Sequence, residues 1–557
     1  MLKRLRRGLA LLFLALVAVA AFNGLTFQKK ANNRHLPPYY KKGVFHLHSV
    51  FSDGRGDVEA ICRDAGDLNL DFVILTDHGE PNLQSSTATA WKHDTLLIGA
   101  SEFSLHSGHL AAVGYRVPGY VFPPEAQEAI DEVDRDGGVT FISHPFDRRI
   151  PWTDWRVRGF TGIEILSLYQ MAKKNLLYGL TLFPLQYLLS PDYALTALIS
   201  YPRQEMETWD RFNREGTYYG IYALDSHAKL ALGKKASLHF PSYGATFRIL
   251  NIYVKVDREL ERDAWAAAAT IIAALRRGDF FSVIESLAAA NGFESYYQET
   301  GGRRVEMGGA ALAPGGSLVL KTPFAFATDI VVMRDGEPYR TIEDNTRREI
   351  RVPLSRPGVY RSEVMLHSGR LRHLPWIMTN PVFVARAAGK KREADMAAPR
   401  LILQKGGGYF QVEKNDRSRA SVLPDPEAQP PVTRFSFQLR KEPPPEVNFW
   451  TALARREEQD LSVYRGFAFE ARGDRPLRFW LQFRTRDGDR ESAFQHSFLV
   501  GEEWRRITIP FARFHRLYGA DAPPNLAQVS AFFILVDNGN SFDGAEGVLN
   551  LRSFGCY

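Results

Sequence analysis

From Gly43 to about Tyr222 the chain alternates short apolar runs with stretches of helical periodicity. The runs are Gly43–Phe45, Phe72–Leu75, Leu96–Ile98, Leu110–Tyr115, Val139–Ile142, Ile163–Leu166 and Tyr218–Ala223, and helical stretches such as Asp57–Leu68, Glu125–Arg135 and Gln204–Arg214 separate many of them. This alternation predicts a parallel sheet covered on both faces, either open or closed into a barrel. An insertion at 171–200 interrupts it, apolar from Leu176 to Leu189 and broken by Pro184 and Pro191. It reads as a helical pair packed on the sheet domain, with a lid or a second membrane contact as the sharper reading. An alanine-rich helix, Asp263–Arg277, closes the region.

Beyond the glycine-rich stretch 301–316 the period changes to two. Ser317–Lys321, Ile330–Met333 and Val359–Leu366 alternate, so 301–388 is expected to form a small β-sandwich. Residues 389–400, charged and alanine-rich, read as a linker. Residues 401–557 read as a second β domain, in which Phe479, Leu481 and Phe483 alternate with Arg478, Trp480, Gln482 and Arg484.

The first 30 residues change the picture. Lys3, Arg4, Arg6 and Arg7 precede the apolar run Leu9–Phe22, and Lys29 and Lys30 follow it. This is the pattern of a secretory signal, with Ala18-Val19-Ala20 as a cleavage site, or of an uncleaved anchor from Gly8 to Phe27. The uncleaved anchor is the preferred reading. Either way the expectation is an extracytoplasmic protein, membrane-anchored in the periplasm or cell envelope, or secreted if the signal is cleaved.

Composition adds limits. The 557 residues are too many for one core, and 45% hydrophobic residues is a globular value. The net charge of +7 arises from 70 basic and 63 acidic residues mixed along the chain, without the basic patch and interleaved aromatics that nucleic acid requires. The two cysteines, Cys62 and Cys556, make no disulfide framework.

Histidine placement carries the chemistry: ten of fourteen precede residue 240. His46-Leu-His48-Ser follows the first strand, with Asp53 five residues after His48; Thr76-Asp77-His78 follows the second. Glu102 lies past the third, His109 opens the fourth, Ser143-His144-Pro145 ends the fifth, and Asp225-Ser226-His227 ends the seventh. At the mouth of a parallel α/β barrel these groups converge, and so many imidazoles and carboxylates together call for bound cations. Imidazole with carboxylate suits zinc, manganese or iron. His93 and His106 are read as standing outside the set.

In this order the motifs His-x-His-Ser…Ser-Asp-Gly, Thr-Asp-His, an isolated Glu, Ser-His-Pro and Asp-Ser-His resemble those of the PHP (polymerase and histidinol phosphatase) family of metal-dependent phosphoesterases, in its exported form with C-terminal β domains. The resemblance covers about residues 43 to 290. It implies a distorted (β/α)7, TIM-like barrel over 31–300, followed by the two all-β domains, and a site of two or three divalent ions. His46, His48, Glu102 and Asp225 would hold one ion, Glu102 would share a second with His109 and His144, and Asp53, His78 and His227 would hold a third. Many members carry His where Asp53 stands, which puts the third ion's identity or occupancy in question. The implied activity is hydrolysis of a phosphate ester by a metal-bound hydroxide, with His46, His48, Glu102, Asp225 and His227 as catalytic residues. Arg148, Arg149 and Lys229 are candidates for binding the substrate anion, and Asp77 for orienting a ligand or capping its loop.

Two alternatives stand beside this reading. The same metal site hydrolyses carboxylic or carbamate esters by the same attack. A non-catalytic barrel could instead display a glycan-binding module: residues 401–557 are similar to galactose-binding-like jelly rolls, with Trp480 and Arg484 as candidate sugar contacts. The expected partners are a small-molecule, glycan-linked or lipid-linked ester, the membrane through the N-terminal helix, and no nucleic acid.

Overall fold

A computed structural model describes residues 2–231, 237–385, 401–402, 410–416, 418–440, 449–519 and 522–557. The chain divides into two compact units, one of residues 1–117 and 126–390, the other of residues 118–125 and 391–557.

In the first unit one mixed sheet carries the candidate site. Its strands are β1 (Tyr40–Leu47), β2 (Phe72–Leu75), β3 (Thr95–Leu105), β4 (Gly108–Val113), β5 (Val139–Ile142), β6 (Gly162–Ser167), β7 (Tyr219–Ala223), β8 (Leu250–Lys255) and β9 (Phe280–Ile284). They lie in the order β9-β8-β1-β2-β3-β4-β5-β6-β7. All side chains of β2, β5 and β7 are buried, as expected of strands covered on both faces. Helices flank them: Val58–Asp67 starts at Asp57, whose carboxylate accepts the Ala60 N–H, and Ala264–Arg277 stops at Gly278 in the left-handed region.

Besides β8, which pairs antiparallel with both β1 and β9, two features depart from a uniform parallel barrel. First, β3, β4 and β5 pair antiparallel, because a tight hairpin from Leu105 to Gly108 leaves no room for a crossover helix. Second, β7 and β1 are not joined by a ladder. They meet through one bridge, Leu47 to Ser226, and through backbone hydrogen bonds from Leu224 N to Phe45 O (3.0 Å) and His48 N to Ser226 O (3.0 Å).

Residues 301–388 do not form a unit of their own. Ile377–Thr379 pairs antiparallel with β9, and Gly358–Leu366 pairs with Ile377–Thr379, so this region extends the first sheet. The free edge of β9 explains the difference, since an unpaired strand edge is a template for the next strand. A four-stranded sheet, in the order Arg304–Glu306, Glu294–Gln298, Ser317–Lys321 and Glu349–Pro353, completes the region. The expected linker 389–400 lies outside the described residues.

The insertion folds as four short helices, Leu168–Lys174, Leu176–Leu180, Phe183–Leu189 and Pro191–Thr196. The N-terminal segment is a single helix, Leu2–Thr26. Among the described residues no helix is long and apolar enough to cross a membrane. The expected transmembrane helix is therefore not found there, and the unbroken run Leu9–Phe22 is shorter than the ~20 residues a span needs.

The second unit contains two six-stranded sheets. Phe435, Phe467, Phe469, Phe479, Phe483, Phe532 and Phe554 fill the space between them, with Leu481 beside Phe479 and Phe483 as the alternation predicts. Pro118–Glu125 belongs to this unit although its neighbours in sequence belong to the first: Val121 N donates to Asn540 O, and Ser497 Oγ donates to Glu125 Oε2 at 2.9 Å.

Candidate metal centre

The nine histidine and carboxylate residues named from sequence gather at one end of the mixed sheet. His46 ends β1 beside a register shift at Phe45/Leu47, with φ +70°, and the local bend helps turn His46 and His48 towards the same cup. His144 and Asp225 also have positive φ, 28° and 52°, a backbone cost that L residues accept mostly at functional sites. His78 follows β2 and bridges to Glu102 on β3. His109 joins them because β4 runs backwards: its first residues lie opposite the last of β3, with His109 paired to Ser104.

Glu102 is the centre. Its Oε1 lies 3.1 Å from His144 Nε2, and 3.4 Å from both His46 Nε2 and His109 Nδ1. Its Oε2 lies 3.2 Å from His78 Nδ1 and 3.5 Å from His48 Nε2. Asp225 Oδ1 is 3.3 Å from His48 Nε2 and 3.6 Å from His46 Nε2, and the two facing Nε2 atoms are 3.0 Å apart. A looser group surrounds Asp53 Oδ1: His227 Nε2 at 3.2 Å, His48 Nδ1 at 3.8 Å and His78 Nε2 at 3.9 Å. His48 and His78 thus face both groups, one ring nitrogen to each, whereas the ligand sets expected from sequence share Glu102 alone between ions.

These spacings suit cations. Two donors bound ~2.1 Å from one ion stand roughly 3.0–3.5 Å apart at octahedral to tetrahedral angles. His48 Nδ1, His78 Nδ1, Glu102 Oε2, His109 Nδ1 and His144 Nδ1 are buried without a hydrogen-bond partner. Buried polar atoms are ordinarily satisfied, so a cluster of orphaned donors fits ions as the missing partners.

The electrostatics agree. Burial would raise the Glu102 carboxyl, but His46, His109 and His144 hold it well below the usual range. Asp225 is likewise held low against burial, by His46 and His48, and Asp53 is lowered to about 2 by His227. Burial would lower His46, yet the carboxylates of Glu164, Glu102 and Asp225 hold it well above its ordinary value, and His144 is raised to about 9 by Glu102. Burial prevails at His48, lowered to about 4. The carboxylates that raise His46 and His144 are the same negative charge that would hold bound cations, so metal and proton would compete for these rings.

One residue was missed from sequence. Glu164, inside β6, accepts from His46 Nδ1 at 2.5 Å through Oε1 and from the His144 backbone N–H at 2.8 Å through Oε2. It fixes the His46 tautomer so that Nε2 presents its lone pair to the cup. Asp77 proves to hold the loop: it accepts from Ser49 N, Ser49 Oγ and Ser52 Oγ at 2.6–2.7 Å, steadying the turn that carries Asp53. Tyr243 Oη donates to His48 O at 2.7 Å.

The depth of the cup is graded. His46, His48 and Glu102 are buried, whereas the side chains of Asp53 and His78 are 48% and 30% exposed, so the mouth opens on the Asp53 side. Tyr169 forms a wall there, its ring 5.2 Å from that of His227, with Lys173 Nζ above it at 4.2 Å. Lys229 donates to Asp53 O at 2.9 Å; Arg148 and Arg149 are exposed on the loop after His144. His93 pairs with Glu59 at the surface, apart from the cup.

In the second unit the two candidate sugar contacts are not displayed. Trp480 is 5% exposed, and its Nε1 donates to Asp537 Oδ1 at 3.0 Å. Arg484 lies 4.5 Å over the Phe533 ring and pairs with Glu491 at 3.1 Å. Strand alternation predicted their face correctly, but that face is itself covered: Arg478 is buried, with the ring of Tyr120 5.1 Å from its guanidinium.

No family model and no curated protein matches the chain. Among solved structures it is similar to a two-domain protein from Bacteroides vulgatus containing a predicted PHP-like metal-dependent phosphoesterase, at 14% identity and TM-score 0.30, covering 64% of this chain and 99% of that one. It is also similar to a family 11 carbohydrate-binding module from Clostridium thermocellum in complex with a β-1,3-1,4-mixed-linked tetrasaccharide, at 12% identity and TM-score 0.24, covering 29% of this chain and 96% of that one. A family 30 carbohydrate-binding module from the same organism aligns at 12% identity and TM-score 0.22, covering 28% of this chain and 94% of that one.

Proposed function

We propose that the chain is a metal-dependent hydrolase of phosphate esters that works outside the cytoplasm. The carrying observation is the Glu102 cluster: five imidazoles within 3.1–3.5 Å of one buried carboxylate, with a second group around Asp53 joined to it through His48 and His78. Bound there, two or three ions of zinc, manganese or iron supply Lewis acidity to phosphoryl oxygens and acidify water.

The chain's own residues do the rest. Glu164 keeps His46 aimed, Glu102 and Asp225 keep negative charge at the base of the cup, and Asp77 sets the Asp53 turn. The exposed end at Asp53 and His78 admits the ester, with Arg148, Arg149 and Lys229 on loops that follow the ligands and offer charge to its anion. Two adjacent donor groups suit a phosphate ester, whose tetrahedral phosphoryl group offers several oxygens to neighbouring cations, and the ester panel below separates it from the carboxyl alternative.

Metal analysis of the purified chain, paired with phosphate-ester and carboxyl-ester panels, tests this. Two to three metal equivalents per chain with phosphate turnover, both lost in His46→Ala and His48→Ala, are expected. Turnover of carboxyl esters alone would move the reading to the carboxylic or carbamate alternative. Turnover that survives in a metal-free variant would overturn it.

A further inference from the structure

We infer that the N-terminal helix and the apolar insertion together form a docking face for a lipid bilayer, lying on the membrane surface rather than crossing it. The inference stands apart from whichever ester the cup cleaves.

The two segments are far apart in sequence and packed in space. Gly24 sits so close to the insertion that a Cβ there would meet Ser190 Cβ at 3.2 Å and Leu189 Cβ at 3.6 Å. Phe27 and Tyr193 pack edge to face with centroids 5.3 Å apart, and Ala20 is fully buried. Contact of this kind buries one side of the helix. On the other side Phe22 and Leu25 stay exposed, and Leu177, Leu180, Leu188 and Leu189 of the insertion are exposed as well. Leu25, Leu177 and Leu188 are 81%, 79% and 83% exposed, values unusual for leucine, and they lie on the N-terminal helix and on two successive helices of the insertion packed beside it. Single exposed leucines need no explanation, but several on elements packed together mark an interaction surface.

Charge selects the occupant. No Asp or Glu precedes Asp53, while nine Lys and Arg do, four of them within the first seven residues. The stretch 176–190 carries no charged residue at all. Lys29 pairs with Glu285 at 3.2 Å, but the four basic residues at positions 3–7 have no acid near them in sequence; apolar side chains beside such a cluster match an anionic bilayer, in which leucines enter the acyl boundary and lysines and arginines meet headgroups. The insertion also starts at the cup: Tyr169, beside His227, opens its first helix, so a docked insertion brings the mouth towards the membrane.

Flotation of the full chain with vesicles of phosphatidylglycerol and phosphatidylethanolamine tests the inference. Wild type is expected to float, and less so with phosphatidylcholine alone. The variant Leu177→Glu/Leu180→Glu/Leu188→Glu is expected to lose about tenfold or more in bound fraction, since burying even one leucine is worth roughly that factor. Its metal content and its turnover of a soluble ester should be unchanged. An independent readout uses Leu188→Cys carrying an environment-sensitive dye, practicable because Cys62 and Cys556 are both buried; vesicles should shift its emission to the blue. Wild-type flotation by the triple variant, or a dye that stays water-like on vesicles, would overturn the inference. So would a vesicle-independent dimer abolished by the same substitutions, since a second copy would then cover the face.

Discussion

His46 Nδ1 meets Glu164 Oε1 at 2.5 Å, both side chains fully buried, and the second Glu164 oxygen takes the His144 backbone N–H. One carboxylate therefore positions two ligand residues from behind. Glu164→Gln keeps the shape but sets an amide N–H against one of those two donors. Loss of such a supporting partner typically lowers metal affinity or activity by roughly 10–100-fold. Titration of metal into the apo-variant, alongside kcat/KM, should show that loss with little change in Tm. Unchanged affinity would mean that His46 is held by packing alone.

Asp53 stands at the rim, 48% exposed, and anchors the looser donor group. Asp53→Ala should therefore leave the Glu102 cluster loaded and cost about one metal equivalent. Asp53→His should restore it, because an imidazole there supplies a donor of the kind His227 and His78 already provide. Metal content by elemental analysis of the three proteins decides this. Loss of all metal in Asp53→Ala would show that the two groups load as one.

Much of this site was legible from the ordered motifs, because most of the ligands sit at or just past the end of an apolar run, with His109 opening one and Asp53 in the following loop. Glu164 was not. It is a lone acid inside a buried strand, and its partner His46 is 118 positions away, so nothing local marks it. The reversed pairing of β3 and β4 was equally hidden, although the strands themselves were visible: direction depends on the Leu105–Gly108 turn and not on apolar periodicity. Residues 301–388 alternate like an independent sandwich, yet the edge of β9 claims one of their strands. For Trp480 the alternation predicted the face correctly but could not show that the face is covered.

Asp279 offers a pH test away from the cup. Burial raises its carboxyl to about 7, against the pull of Lys255, and Glu306 adds to the rise while Arg277 and Arg304 oppose it. The folded state thus holds a proton that the unfolded chain releases near pH 4. Its contribution to stability is greatest below that point and is lost as pH rises through 4 to 7, by up to roughly 4 kcal/mol before solvent relaxation reduces it. Asp279→Asn should remove the slope and raise stability at pH 8 relative to wild type. Denaturant melts at pH 5 and 8 measure it; parallel curves for the two proteins would show that Asp279 ionises freely.

Arg361 joins elements on two sides of the first unit. It is 3% exposed, pairs with Asp210 Oδ2 at 3.0 Å on helix Arg203–Asn213 and with Glu363 Oε1 at 2.5 Å, and lies 5.2 Å from the Trp209 ring centroid. Removing the guanidinium leaves Asp210 and Glu363 without their cation in a largely buried site, where Glu363 keeps the hydrogen bond from Tyr201 Oη at 3.0 Å. Arg361→Ala should therefore cost about 3–5 kcal/mol. Arg361→Met with Asp210→Asn and Glu363→Gln, which removes the charges together, should cost much less, because breaking such a network is penalised chiefly through the charges left behind. Chemical denaturation of both variants separates the terms. Equal losses would show that the cation holds helix and strand by packing over Trp209 and not by charge.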